Sequence, residues 1–427
     1  MKRHVFVLAA FLSGCASPAE RPLPALAPRE GRATTVPPVA LGALKGLSLE
    51  RALALAEGGH PDLAAARARV EAARGRALQA GLFPNPELVA RVEVAPIRGG
   101  TADEAEVVAG ISQRVPSGGR LGAAVRVEEL EGRRFEHEAE ARTREVRAKV
   151  HAAFATALYA EEVVLLQADA LRLAERGVAV TKARRDAGDA LAEEVARAEI
   201  EEVRSRLEHE RARSLRKVAF LGLASAMGSP EADVESLEGS LETALETPAL
   251  EDLVVRLDGT PWAAAAEAEV AAERARAELA RAERVPDVRL DLFYRRQQAT
   301  ETDAFDAGLG VAIPLFDRNQ GRIREAEAGS QVASARARAV RHDLLVRMRE
   351  AHEKLSRALA QARRIREEIL PRAETVLKGA EVRYSGGDLR LPDLLPVRRD
   401  RSALRLSYLD SLREIMEAWA VLKQFAG

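Results

Sequence analysis

Two acids stand at one spacing beyond two copies of a short motif. Arg185-Asp186-Ala187-Gly188-Asp189-Ala190-Leu191 is echoed by Tyr384-Ser385-Gly386-Gly387-Asp388-Leu389-Arg390, and Glu194 and Asp393 each lie six residues past the glycine of the Gly-Asp pair. Carboxylates gathered at a constriction favour cations, which is electrostatic rather than covalent chemistry. The same placement also suits solvated acids in the first turn of a helix, where the helix dipole favours Glu193, Glu194 and Asp393. The seven histidines (His4, His60, His137, His151, His209, His342 and His352) include no pair at the i, i+4 spacing of a helical metal site. They are expected on helix surfaces, with no metal or cofactor bound. Nothing in these residues points to an enzyme.

The doubled motif belongs to a longer repeat. Gly387 follows Gly188 by 199 residues, and a second pair of landmarks, Val115-Pro116-Ser-Gly-Gly-Arg120 and Ile313-Pro314-Leu-Phe-Asp-Arg-Asn-Gln-Gly321, is offset by 198. Two landmarks in one order at nearly one offset imply a tandem duplication, which decides the architecture before any single motif is read. Gly188-Asp189 and Gly387-Asp388 each interrupt a long helical stretch, so they are read as helical hairpin tips needing a positive φ or a tight reversal. Exposed at a tip, the same four residues would also meet a docking partner.

The N-terminus carries a targeting segment over 1–14. Lys2 and Arg3 precede an apolar run, Val5 to Leu12, that is too short to span a bilayer. Leu12-Ser13-Gly14-Cys15 resembles a bacterial lipobox, which implies that Cys15, the single cysteine, becomes the lipidated first residue. Ala16 resembles the pattern sorted to the outer membrane. Residues 15–46, rich in proline, read as a tether between lipid and body. A lone cysteine excludes an intramolecular disulfide framework. The balance of 65 Lys+Arg against 66 Asp+Glu argues against nucleic acid as a partner.

The body divides into repeats over 47–227 and 261–427, joined by a linker over 228–260 that forms a collar. Helix begins after Ser48, a plausible N-cap, and runs to about Gly81, with an interruption open at Gly58-Gly59-His60-Pro61; Pro84 and Pro86 then forbid it. Alternating patterns predict strands at about 86–95 and 104–115, joined by a Gly99–Asp103 turn, and again at about 286–296 and 304–314. In the first, Leu88, Ala90, Val92 and Val94 share one face, opposite Arg91 and Glu93. About ten residues is the length of a tilted membrane strand. No proline interrupts Gly122 to Asp186, and Pro371 alone interrupts Arg322 to Tyr384. At the usual rise each stretch is a rod of about 100 Å. Val146, Val150, Ala153, Ala157, Ala160, Val164, Leu171 and Val178 form one apolar stripe, and Phe154, Leu158 and Leu165 a second, so the rod should have neighbours on two sides. Tips are placed at about 187–190 and 386–389, where each rod turns into a return helix that stacks end to end with the helix before the strands. Four strands cannot close a membrane barrel, which needs at least eight. Either several chains share one barrel, or the strands form a small soluble sheet beside a coiled coil.

This order of elements, doubled, together with the tip motif and the Pro314–Gly321 string, resembles the TolC-type outer-membrane factors over essentially the whole mature chain. The Pro-Leu-Phe-Asp-Arg-Asn-Gln-Gly321 string looks most like the CzcC-type branch, paired with resistance-nodulation-division pumps for cobalt, zinc and cadmium. The resemblance implies a mostly α fold with a small β part, as a homotrimer whose twelve-stranded outer-membrane barrel continues into a periplasmic helical barrel. It implies an outer-membrane location with a long periplasmic extension, a periplasmic adaptor and an inner-membrane pump as partners, and passive conduction of substrate, heavy-metal cations on the branch resemblance. Drug efflux and type I secretion are the alternatives within the family; a lipid-anchored coiled-coil scaffold is the alternative outside it. The family's gate carries over to Tyr384, three residues before the tip glycine, and to Asp393; Glu194 would add to the carboxylate ring. Arg390 stands beside Leu389, which occupies the family's basic latch position, and Pro396 replaces a second aspartate. Because Arg185 stands where Tyr384 does, the second hairpin is expected to carry the gate.

Overall fold

A computed structural model describes residues 44–93, 105–242, 247–298 and 300–426. The targeting segment, Cys15, most of the proline-rich tether and the Gly99–Asp103 turn lie outside the described residues. The first half comprises strand β1 (Leu47–Ser48), helices α1 (Leu49–Gly59) and α2 (Pro61–Ala80), strands β2 (Glu87–Glu93) and β3 (Glu106–Val115), and helices α3 (Arg120–Asp186) and α4 (Ala192–Ala226). Strand β4 (Leu237–Glu238) and helix α5 (Leu250–Arg256) occupy the connection. The second half comprises α6 (Pro261–Ala282), β5 (Val288–Gln297), β6 (Thr302–Val311), α7 (Gln320–Arg364), α8 (Leu370–Ser385) and α9 (Leu391–Ala426).

Two long helical stretches are broken at prolines visible in the sequence, the first at Pro61, where the sequence leaves an interruption open, and the second at Pro371. Ser48 caps α1, its Oγ accepting the Arg51 N–H at 3.3 Å. The helix then stops at His60, whose extended backbone precedes Pro61 and whose Nδ1 accepts the Asp62 N–H at 3.1 Å to start α2. In the second half one π turn, Ile365–Ile369, separates α7 from α8 just before Pro371. Proline has no N–H to donate and its ring crowds the carbonyl four residues earlier; the wider turn accommodates it. Helix α3 contains no proline and runs unbroken for 67 residues, about 100 Å.

Helix α3 packs on α2 and α4 along one side and on α6 and α9 along the other, and α7 and α8 extend the wall beyond α6 and α9. Val146, Val150, Ala157 and Ala160 are buried, as are Phe154 and Leu158 of the second stripe, whereas Leu165 is exposed. The return helices meet the pre-strand helices end to end. Gly228 (φ +75°), at the end of α4, lies so close to His60 that a Cβ would sit 2.8 Å from its Cα. At the other junction the Trp262 and Phe425 ring centroids are 6.1 Å apart.

The collar includes more of the chain than the linker. Strand β1 pairs in parallel with β4, and Leu44 donates to the Asp233 carbonyl at 2.7 Å and accepts from the Glu235 N–H at 3.0 Å. Residues 44–46 therefore belong to the folded body and not to the tether. The apolar side chains of this strap, Leu44 and Leu47, join the main core beside Phe154 and Leu158.

Of the six described histidines His342 is exposed and four are half-buried; His151 alone is buried, contrary to the surface expectation. His151 is buried edge-on against Trp419, with ring centroids 5.9 Å apart. Burial first, then the Lys423 and Arg147 charges, hold its pKa down at about 4. Glu50 and Glu57 of α1, Glu140 and Arg144 of α3 and Lys423 of α9 line the same cavity. An unfolded histidine takes up its proton below about pH 6.5, so the folded collar loses stability as pH falls from there towards 4, by on the order of 3 kcal/mol per chain. Thermal melting of His151→Gln should show a flatter fall across that window than the parent; an identical slope would exclude His151 as its source.

The four long strands form one antiparallel sheet in the order β2-β3-β5-β6. Strand β6 ends at Val311, three residues short of the expected limit, because Pro314 cannot donate to a ladder. The register aligns Leu88, Ile111, Leu292 and Ala307 across the sheet on one face, with Phe305 and Leu309 on that same face. These large apolar side chains are exposed. The opposite face is charged. There Arg295 bonds Glu93 of β2 at 3.1 Å, Glu106 of β3 at 2.5 Å and Asp306 of β6 at 2.8 Å, tying the other three strands to β5. Strands β2 and β6 are the two edges, each paired on one side only among the described residues.

Candidate functional site

Both hairpin tips are built in the same way. At the end of α3 the Asp189 N–H bonds the Arg184 carbonyl at 2.8 Å and the Gly188 N–H bonds Arg185 at 2.9 Å; at the end of α8 Asp388 bonds Arg383 at 2.9 Å and Gly387 bonds Tyr384 at 3.2 Å. This paired closure needs a left-handed residue, supplied by Gly188 (φ +88°) and Gly387 (φ +86°). Gly188, Asp189, Gly387 and Asp388 are all exposed. The return helices then start at Ala192 and Leu391, which puts Glu194 and Asp393 in equivalent first turns.

The tips are joined through Tyr384, only 5% exposed. Its hydroxyl lies 2.8 Å from Thr181 Oγ1 on α3, and Thr181 Oγ1 itself donates to the Gly177 carbonyl at 2.8 Å. With that hydroxyl hydrogen committed, Tyr384 must be the donor. The Arg184 guanidinium sits 5.2 Å from the Tyr384 ring centroid. Val178, Ala198, Ala380, Leu391 and Leu394 complete a small apolar cluster around the ring, separate from the main core.

Further from the tip, polar links continue between the hairpins. Arg399 of α9 grips Glu201 of α4 through two nitrogens, Nε at 3.1 Å. Within the second hairpin Arg398 of α9 reaches Glu381 of α8 at 3.2 Å, while its buried Nε has no hydrogen-bond partner among the described residues. Arg398 and Arg399 line a cavity of about 230 Å³ between α3, α4 and α9.

The acids do not join Tyr384. Asp393 faces Arg390 at 3.5 Å in an exposed pair, which contributes little. Glu194 has no ion-pair partner among the described residues, and its neighbour Glu193 pairs with Arg197 at 2.6 Å. Thr181 and Arg184 were not singled out from the sequence; a threonine four residues after a glycine in a helix is a faint signal, and its partner is 203 residues away. Among the described residues no group of three or more His, Cys, Asp or Glu is placed to hold a metal ion, and no helix is long and apolar enough to cross a membrane. The arrangement can hold two helical hairpins together at one end and set exposed carboxylates beside that join.

Comparison with known proteins gives this geometry a context. The sequence model of one family, described as outer membrane efflux protein, matches residues 52–229 and 257–427. The cobalt-zinc-cadmium resistance protein CzcC of Cupriavidus metallidurans is 27% identical over 383 residues, covering 89% of this chain and 90% of that protein. The nickel-cobalt-cadmium resistance protein NccC of Alcaligenes xylosoxydans is 30% identical over 299 residues, 69% of this chain and 66% of that protein. Among solved structures, CusC superposes with a TM-score of 0.78 at 18% identity, over 89% of this chain and 92% of that one. At that identity the last likeness speaks for the fold alone.

Proposed function

The chain belongs to the outer membrane efflux protein family, and from that membership we propose that three copies form a passive duct from the periplasm to the exterior. The observation that carries this reading is the four-stranded sheet with an exposed apolar face, a charged face and two edges, β2 and β6, each paired on one side only among the described residues. In a bilayer every backbone N–H and C=O must be paired, so such a sheet is viable only if its edges meet those of other copies. A head-to-tail contact of β6 with the next β2 closes into a ring, and three copies supply the twelve strands of a barrel. The helical wall ends in the same manner, with Ile200, Val203 and Leu207 exposed on α4 and Val376 and Val382 on α8. A coiled-coil scaffold would leave the apolar sheet face without a role.

In this reading residues 1–14 are a cleaved signal, Cys15 is acylated, residues 47–227 and 261–427 are the two repeats, and 228–260 lies in the collar. The tips face an adaptor through Gly188-Asp189 and Gly387-Asp388, and a resistance-nodulation-division pump supplies the cargo. Tyr384 holds the periplasmic end shut, with Glu194, Asp393 and Arg390 setting the charge at the entrance. CzcC and NccC are named for resistance to divalent metals, and this supports heavy-metal cations as the cargo here. Deleting the gene should sensitise cells to cobalt, zinc or cadmium, with rescue by the intact chain; sensitivity to dyes and drugs alone would move the cargo to the other branch. Replacing Cys15 by Ala should abolish lipid labelling yet leave trimers in the outer-membrane fraction, because the barrel provides the firmer hold. A fully soluble product would contradict the barrel.

A further inference from the structure

The Pro314–Gly321 string, conspicuous in the sequence, has no part in the tip or the sheet. It forms the connection between β6 and α7 and is held rigidly. Asp317 Oδ1 accepts the Asn319 N–H at 2.9 Å, and Gln320 accepts from the Arg318 N–H at 2.8 Å while donating to the Phe316 carbonyl at 3.2 Å. Asn319, left-handed at φ +60°, donates through Nδ2 to the Ala280 carbonyl at 2.7 Å, pinning the loop to the end of α6. This bonded loop holds Leu315 and Phe316 away from the protomer, and Phe316 is 91% exposed. With Ile313, also exposed, they form one contiguous apolar patch, and an exposed patch of this kind marks an interaction site.

The corresponding turn of the first repeat carries no such side chains. Ser117-Gly118-Gly119 lies between the halves, where a Cβ on Gly118 would come within 2.7 Å of Val285. Only the copy at the free edge of the sheet presents Leu and Phe. At the other free edge, Leu78 at the end of α2 and Leu82 and Phe83 in the α2–β2 connection are exposed, the last at 62%. Phe83 precedes Glu87, the first residue of β2, by four positions, and Leu315 follows Val311, the last of β6, by four. Strands alternate in direction across the sheet, so an antiparallel junction of β6 with a second copy's β2 brings the end of one beside the start of the other. Each strand, continued by the same number of residues, delivers an apolar patch to the same level.

We infer that Leu315 and Phe316 of one copy clasp Leu82 and Phe83 of the next, an apolar seal between protomers at the junction of barrel and helices. It rests on the head-to-tail trimer proposed above, and it assigns the occupant of this patch as a second copy of the chain rather than lipid.

The test uses the full-length chain in isolated outer membranes. A Phe83→Cys, Phe316→Cys double variant, treated with copper-phenanthroline, should convert most monomer into cross-linked dimer and trimer, while each single variant stays at background. Mass measurement of the unoxidised double variant in detergent separates the possible failures. A trimer that does not cross-link overturns the clasp and leaves the trimer; a folded monomer overturns both. As an independent reading, Phe316→Trp in liposomes of brominated phospholipid should show no quenching attributable to residue 316 beyond that of the parent. Strong added quenching would place the residue in lipid and overturn the clasp. Phe316→Asp should lose trimer in detergent without losing helical circular dichroism; an undiminished trimer would also count against it.

Discussion

Truncating Tyr384 to alanine is expected to free the second hairpin tip and to raise the open fraction of the channel by on the order of 100-fold. The ring is the largest member of a tip cluster that otherwise contains Val178, Ala198, Ala380, Leu391 and Leu394. Removing a buried aromatic costs about 3–5 kcal/mol, and on the proposed gate only the part of that cost absent from the open state moves the equilibrium. A share of about 2.7 kcal/mol gives the 100-fold. Tyr384→Phe removes the bond between the two hydroxyls, worth about 1 kcal/mol and roughly fivefold; Thr181→Val removes that same link between the hairpins along with its own local bond to the Gly177 carbonyl. Because they remove the same bond, the double variant should match the singles rather than multiply them. Leaving the threonine hydroxyl unpartnered is not a concern in Tyr384→Phe, since it still donates to the Gly177 carbonyl. Single-channel recording measures the open fraction directly; an unchanged value in Tyr384→Ala would remove this residue from the gate.

An arginine in place of Leu292 should prevent membrane assembly. Leu292 sits mid-strand in β5, paired with Ile111 and Ala307 on the apolar face. A charge there would enter the hydrocarbon of the bilayer at about 2–4 kcal/mol per chain, paid in all three copies of a trimer. Ala304 lies opposite Arg295 on the charged face, so Ala304→Arg adds the same charge where water is available and should assemble. The yield of detergent-resistant trimer in the outer-membrane fraction compares the two. Equal yields would mean that the apolar face does not meet lipid.

Much of this was legible in the sequence because it is written locally. A left-handed glycine at the end of a helix needs only its own neighbours, and both tips could be placed from Gly188 and Gly387. The same holds for the alternation of Leu88 to Glu93, which put Arg91 and Glu93 on the charged face of the sheet. Other features depended on partners far away in the chain. The strap formed by Leu44 is invisible without Val234, to which it pairs. The burial of His151 is a second such case, since the Trp419 ring packed edge-on against it comes from α9, far along the chain. The π turn before Pro371 marks a third case: a proline warns of a break, but not whether the helix kinks, stops or, as here, widens. At the tip, the sequence suggested that Tyr384 would matter and that acids would stand near it. It did not reveal Thr181 and Arg184, whose contacts with the ring cross from one repeat to the other.

The measurement that bears most directly on the central claim is single-channel conductance of purified full-length protein in planar bilayers, recorded for the parent and for Tyr384→Ala. A duct of three chains predicts discrete, ohmic steps of uniform size, rare in the parent and frequent in the variant. A folded, membrane-inserted protein that gives no steps in either form would contradict it.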